Sequence, residues 1–550
     1  MPDGLRCRLA FAGIIKRNAL KEQKGIKMRI LMTTFAVIAA GLIGGSAAAQ
    51  EADRPDIVVA VNGLYRSLEP IDGNSTNSLR IMSNIYDPIV GRNWLEDPEG
   101  GELAPSVVSE WEQVDDMTWQ FTIREGVKFH NGETMTAEDV AFTLSEERIW
   151  GENALVPTGT RYTTSFESVE AIDGMTVEVK TSVVDPNLPY RFVTPLGFVV
   201  PRDYYLEVGP EAFGQNPIGT GPYRVVEFDQ ASHVKLEAFD EYWGGTPPLE
   251  TIEFRVVPEF SGRLAGMVSG QYDFMVNTPV DEIGTVESYP DLTYISRPAD
   301  GYIMLAYNAL DLPEFAPTPT ADVNLRYAMS AAIDRDALVE ALWGDATFAP
   351  APFNFPDNPA YYDPEIRPLI EYDIDAARQY LEQSNYNGEE VVINVVRGAY
   401  PNFDLAVEFI AEQWRNLGIN VRLNIVDSWP LALKHPFGVL NMSMSVVFDG
   451  TPTRAIWGFW GPDSARATRV DDRSWTPPAD FIELGEQYMA EPDEQEKVRL
   501  FREMVAIWER EQPALMLWRN VVDWVVSNEY EWTAVNSDAM MFGPGFITVN

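Results

Sequence analysis

Between Val391 and Val426 the chain carries its most restrictive local pattern. Val391 to Val396 is a mostly apolar, β-branched run, and Asn402 then stands where a helix N-cap is favoured. Phe403, Val407, Ile410, Trp414 and Leu417 recur at spacings of four and three, which places them on one face of an α-helix. Gly418 stops that helix, and Val421, Leu423 and Ile425 alternate as a second strand. Strand, helix and strand at these lengths require a parallel pair joined by a right-handed crossover, so the fold class is α/β. Other segments agree. Ile57 to Val61 reads as a buried strand, and Leu79 to Ile85 as a helix. Trp119, Phe121 and Ile123 alternate with polar residues as a half-buried strand. Thr136 with Asp139 forms a capping box ahead of a helix from Val140 to Ile149. A further helix runs from Asp493 to about Glu511, with Val498, Phe501, Val505 and Trp508 inward. A chain of 550 residues exceeds what one core supports, which implies at least two lobes.

The first fifty residues read as an address. Lys16, Arg17, Lys21, Lys24, Lys27 and Arg29 precede an uncharged, mostly apolar run from Ile30 to Ile43, and Ala47-Ala48-Ala49 fits a small-x-small cleavage site. That run is short for a membrane span, so a secretory signal peptide is predicted at 1–49, cleaved after Ala49, with Met28 an alternative start. The only cysteine, Cys7, lies inside this leader. Disulfides, thiolate nucleophiles and cysteine-ligated metals are therefore excluded from the mature chain. Acidic residues outnumber basic ones 83 to 41, a net charge of −42. Such a chain lacks the cations that replace counterions on nucleic acid, and an anionic membrane surface repels it.

No nucleophile elbow, phosphate loop, dinucleotide-binding turn or zinc-protease helix occurs in the mature chain. His130, His233 and His435 lie far apart, and acid pairs such as Asp115-Asp116 and Asp471-Asp472 read as solvated surface. The expectation is a binding protein without cofactor, metal or catalytic residues. A secreted hydrolase, which would turn its ligand over, and a sensory receptor, which would act without a permease, are the rivals from other classes.

Several stretches in order resemble solute-binding family 5, the peptide- and nickel-type binding proteins of ABC importers. These are residues 119–140 (WQFTIREGVKFHNGETMTAEDV), 216–223 (NPIGTGPY), 242–244 (YWG), 270–273 (GQYD), 323–328 (VNLRYA), 332–335 (AIDR) and 372–378 (YDIDAAR). The resemblance covers nearly all of residues 55–550. It implies a two-lobe periplasmic binding protein fold (class II), hinged by two crossover segments. Lobe I would span 50–303 and 520–550, with an extra subdomain near 77–217. Lobe II would span 304–519, with crossings near 300–304 and 519. The implied function is periplasmic capture of a short peptide or related zwitterion and delivery to inner-membrane ABC permease subunits, by a monomer. The alternative keeps the fold and binds an oligosaccharide, an opine, glutathione, haem or a nickel chelate. In dipeptide-binding members an arginine at the matching strand end clamps the ligand carboxylate, which points to Arg397, and a loop aspartate accepts the α-ammonium, which points to Asp449. Tyr400 follows in the Arg397 loop. Tyr65, Tyr302, Trp429, Trp457 and Trp460 are the aromatic candidates for the pocket wall, since rings supply apolar surface and stack on cations. Gly219, Gly221 and Pro222 are expected to set a turn rather than to touch ligand.

Overall fold

The computed structural model describes residues 54–550, apart from 74, 98–101, 164, 186, 311–317, 345, 357, 359, 398–399, 427–428, 435–436, 446–451 and 469–472. Its centre is a ten-stranded mixed sheet. In chain order the strands are Asp56–Val61 (β1), Tyr223–Asp229 (β2), His233–Ala238 (β3), Thr251–Val256 (β4), Phe274–Val276 (β5), Leu292–Tyr307 (β6), Val391–Val396 (β7), Val421–Val426 (β8), Val439–Ser445 (β9) and Ala514–Ser527 (β10). In space they lie β8-β7-β9-β6-β10-β5-β1-β4-β3-β2. A separate antiparallel sheet is built from Val108–Asp115, Thr118–Ile123, Thr176–Thr181 and Phe166–Ala171, in that spatial order.

The β-α-β unit forms as its periodicity predicts. β7 and β8 pair in parallel from Val391 opposite Val421 to Val396 opposite Val426. The intervening helix, Phe403–Leu417, buries Phe403, Val407, Ile410 and Trp414, and the Trp414 indole N–H donates to the Met329 carbonyl at 2.7 Å. Gly418 ends the helix at φ 104, a left-handed conformation that glycine adopts without a Cβ penalty. Asn402 differs from expectation. Its backbone is left-handed (φ 55) rather than extended, and its side chain makes no capping bond, because an extended N-cap is what aims the side-chain oxygen at the first helical amides.

The predicted helix from Val140 to Ile149 is two pieces. Thr136 and Asp139 close a full capping box on Ala137–Thr143, but Ser145 then recaps a separate π-turn, Glu146–Trp150, by accepting from the Arg148 amide at 3.1 Å. The turn delivers Arg148 to a wholly buried ion pair with Glu69, Nη2 to Oε1 at 2.7 Å, both side chains 0% exposed. Arg148 also donates to the Thr143 carbonyl. Glu69 accepts from Tyr205 Oη at 3.0 Å and from the amides of Ile71 and Asp72 at 2.8 and 2.6 Å.

Two bodies of core share the long strands. One holds Ile57, Val59, Phe121, Phe254, Phe274, Trp524, Trp532 and Phe542. The other side holds Ile303, Leu305, Trp414 and Trp518 in one cluster, and Tyr302, Phe355, Trp460 and Trp508 in a second. β6 and β10 run antiparallel through both bodies, and their register breaks between Pro298 and Tyr302, opposite Arg519 to Val521. There Arg519 Nε donates to the Ala299 carbonyl at 3.1 Å.

The 216–223 motif has a packing explanation. A Cβ on Gly219 would sit 2.1 Å from the Ile85 carbonyl oxygen, and one on Gly221 would sit 2.7 Å from the Asn84 carbonyl oxygen. The loop is thus pressed against the C-terminal end of the helix Thr76–Ile85, where only glycine fits. His130 holds it from the other side: the Gly219 amide donates to Nδ1 at 3.3 Å, so Nε2–H donates to the Gly221 carbonyl at 3.0 Å. Burial keeps this imidazole neutral and lowers its pKa to about 4 from 6.5. The unfolded chain takes up that proton between about pH 6.5 and 4 and the folded chain does not, so His130 makes stability fall as pH falls through that window. Asp87, which burial pushes up to about 6, acts in the opposite sense over the lower part of the window. Urea unfolding of His130→Gln should therefore show the variant gaining on wild type as pH drops from 7 to 4.5, by about 3 kcal/mol at the limit. A constant difference between the two proteins across that range contradicts the assignment.

Candidate ligand-binding cleft

Between the two bodies of core lies a cleft of about 890 Å³. Four parts of the chain build it. The helix Thr76–Ile85 contributes Thr76, Asn77 and Arg80, and the turn after β5 contributes Asn277, Thr278 and Asp281. The start of the helix Phe403–Leu417 contributes Tyr400, Asn402, Asp404 and Leu405. The C-terminal return contributes Asp538 and Met541. Gly301 of β6, Ser443 of β9 and Asn520 of β10 form the back wall where the register breaks.

The helix Thr76–Ile85 forms because Ser75 caps it, accepting from the Ser78 amide, and because Ile81, Met82 and Ile85 face the core. Asn77, Arg80 and Asn84 make a polar stripe along it. Arg80 is 2% exposed and donates to Asn77 Oδ1 at 3.2 Å and Asn277 Oδ1 at 3.0 Å. Burial lowers its pKa, while the nearby Asp538 and Asp523 carboxylates favour its charge. Arg263, also buried, donates to the carbonyls of Val257, Pro258 and Asn277 at 2.8, 2.7 and 3.0 Å. Asn277 is left-handed (φ 60), which turns the next amide, Thr278 N–H, onto Asp523 Oδ2 at 2.7 Å. Desolvation raises the pKa of Asp523 and of Asp538, and the arginines beside them oppose that rise.

The aromatic lining is Tyr65, Tyr86, Trp94, Phe198 and Tyr400. Tyr400 Oη accepts from the Ser443 amide at 2.8 Å, which ties Tyr400 to β9. Of the residues singled out in the sequence, the structure brings Tyr65 and Tyr400 together here. Tyr302, Trp457, Trp460 and Arg397 are not among the lining residues. Tyr302 is fully buried and stacked on Phe355 at 4.0 Å between ring centroids. Trp460 is fully buried edge-on to Trp475 and Trp508. Trp457 stacks on Phe481, and its ring fills the space over Gly485. Arg397 is exposed at the end of β7, where its amide donates to the Val426 carbonyl at 2.9 Å. Asp449 and the Trp429 side chain lie outside the described residues. Among the described residues no group of three or more His, Cys, Asp or Glu side chains could hold a metal ion, and no histidine lines the cleft.

The sequence profile of the bacterial extracellular solute-binding proteins, family 5 Middle, matches residues 102–466. The chain belongs to that family, and it is an ABC-type substrate-binding protein with the two-lobe α/β fold. It is 25% identical over 451 residues to the glutathione-binding protein GsiB of Pectobacterium atrosepticum, covering 81% of this chain and 83% of that protein. It is 27% identical over 418 residues to the oligopeptide-binding protein AppA of Bacillus subtilis, covering 70% and 72%. Among solved structures, it superposes with a TM-score of 0.75 on the periplasmic binding protein DppA of Helicobacter pylori in complex with the peptide STSA, at 19% identity, covering 90% of this chain and 98% of that one.

Proposed function

We propose that the chain captures a short peptide or a peptide-like zwitterion in the cleft and hands it to a membrane permease. One observation carries the reading. Across the whole chain acids outnumber bases 83 to 41, yet the cleft is lined by three arginines (Arg80, Arg92, Arg263) and three aspartates (Asp281, Asp404, Asp538). A lining that departs this far from the surface composition suits a ligand bearing both signs of charge. Relatives that bind glutathione and oligopeptides fit this ligand class.

In this reading the segments 50–303 and 520–550 form lobe I, with the subdomain near 77–217, and 304–519 forms lobe II. The register break in β6 and β10 is the hinge. Ligand bridging the lobes favours the closed state and shifts the population towards it. Arg397 takes the ligand carboxylate, and Asp449 takes the α-ammonium. The chain is exported, cleaved after Ala49, and works in the periplasm as a monomer without enzymatic turnover. No helix among the described residues is long and apolar enough to cross a membrane.

A thermal-shift screen tests the ligand class. Free-ended di- and tripeptides should raise the melting temperature. At a hundred times the dissociation constant, binding to the folded state adds about 2.7 kcal/mol. The same peptides acetylated at the amine and amidated at the carboxyl should produce no shift. Equal shifts from blocked and free peptides, or a response to oligosaccharides alone, would replace the zwitterion with a neutral ligand.

A further inference from the structure

The even count of charges in the cleft conceals an asymmetry. Two of the three arginines already have fixed acceptors inside the protein. Arg80 is nearly inaccessible and holds two asparagine oxygens, and Arg263 holds three backbone carbonyls. Asp538 is in the opposite condition. It lines the cleft and remains partly exposed to it. Its Oδ2 accepts only one long bond, from Thr76 Oγ1 at 3.4 Å, and its Oδ1 has no hydrogen-bond partner among the described residues. A carboxylate has about four acceptor positions, and leaving them unmet in a desolvated site is costly. Arg80 stands behind it as an electrostatic neighbour and favours its ionised form without hydrogen-bonding to it. The interaction capacity that Asp538 leaves open is therefore negative and hydrogen-bond accepting.

We propose that Asp538 forms a cation subsite on the floor of the cleft, with Arg80 holding the carboxylate ionised, and that it receives a basic side chain of the ligand: a primary ammonium or a guanidinium, in addition to the α-ammonium. This rests on the zwitterionic-peptide reading of the same cleft and narrows it to basic peptides or basic amino-acid derivatives. An ammonium entering the site would donate to the Asp538 carboxylate, as a charge-assisted pair stronger than a neutral hydrogen bond.

Isothermal titration of the mature protein with two near-isosteric dipeptides, alanyl-lysine and alanyl-norleucine, tests this directly. The wild type should bind the lysine peptide at least about tenfold more tightly, since one charge-assisted bond contributes on the order of 1.4 kcal/mol or more. Asp538→Asn should remove that discrimination, bringing the ratio of the two affinities to within about twofold of one. Equal affinities in the wild type overturn the subsite alone and leave the peptide reading in place. Failure of both peptides to bind, together with no response to any free-ended peptide in the thermal-shift screen, overturns the peptide reading and this proposal with it. The wild-type comparison needs no variant, so it stands even where Asp538→Asn, which removes one of the two carboxylates beside the buried Arg80, folds poorly.

Discussion

Arg148→Met lowers the unfolding free energy by about 3–5 kcal/mol, the cost of leaving one member of a buried ion pair without its partner. Glu69 is the reason. Its carboxylate has no exposed surface, and among the described residues only Arg148 supplies a counter-charge within salt-bridge distance. Methionine matches the length of the arginine stem but leaves the Glu69 charge to two backbone amides and the Tyr205 hydroxyl. Those three bonds stabilise the anion but do not neutralise it. Glu69 then bears its desolvation cost without a counter-charge. Chemical denaturation at pH 7 checks the loss. A loss below about 1 kcal/mol at pH 7 would place this pair among solvated surface bridges. The pair ties the loop between β1 and the helix Thr76–Ile85 to the π-turn Glu146–Trp150, so the variant also tests what holds those two segments together.

Arg397→Ala should weaken a ligand with a free carboxylate by at least about 30-fold, the lower end of what losing one partner of a desolvated charge pair costs. Arg397 ends β7, three residues before Tyr400, which lines the cleft and is tied to β9 through Ser443. Its side chain is exposed, so the gain appears when lobe closure removes water from it. The planar guanidinium can grip a carboxylate with two parallel bonds, which a lysine cannot reproduce. Arg397→Lys should therefore recover only part of the affinity. C-terminal amidation of the peptide should cost no further affinity in Arg397→Ala. Calorimetry showing unchanged affinity in Arg397→Ala removes this residue from the site.

The sequence made legible what depends on neighbours along the chain. The crossover unit at 391–426, the Thr136 capping box and the Gly418 stop are set by spacing and by one or two backbone angles. The glycines of 219–221 were readable as a turn, although the reason they must be glycine, contact with the carbonyls of Asn84 and Ile85, is tertiary. The helix expected from Val140 to Ile149 runs through Ser145, where the structure breaks it, because serine competes for backbone partners and caps well. The cleft was mostly hidden. Its charges come from residues 80, 92, 263, 281, 404 and 538, which the fold brings together from distant parts of the chain. The one local signal was the stripe of Asn77, Arg80 and Asn84 on a helix that also carries the apolar Leu79, Ile81, Met82 and Ile85. Aromatic rings misdirect in the same region. Tyr302 and Trp460 have the composition of a pocket wall and the surroundings of a core, and composition cannot separate the two.

Closure around a bound solute is the central claim, and small-angle scattering of the mature protein measures it most directly. With a peptide selected in the thermal-shift screen, at saturation, the radius of gyration should fall relative to the ligand-free protein, as the two bodies rotate together about the register break in β6 and β10. An identical scattering curve with and without peptide, in samples where calorimetry shows the peptide bound, would contradict it.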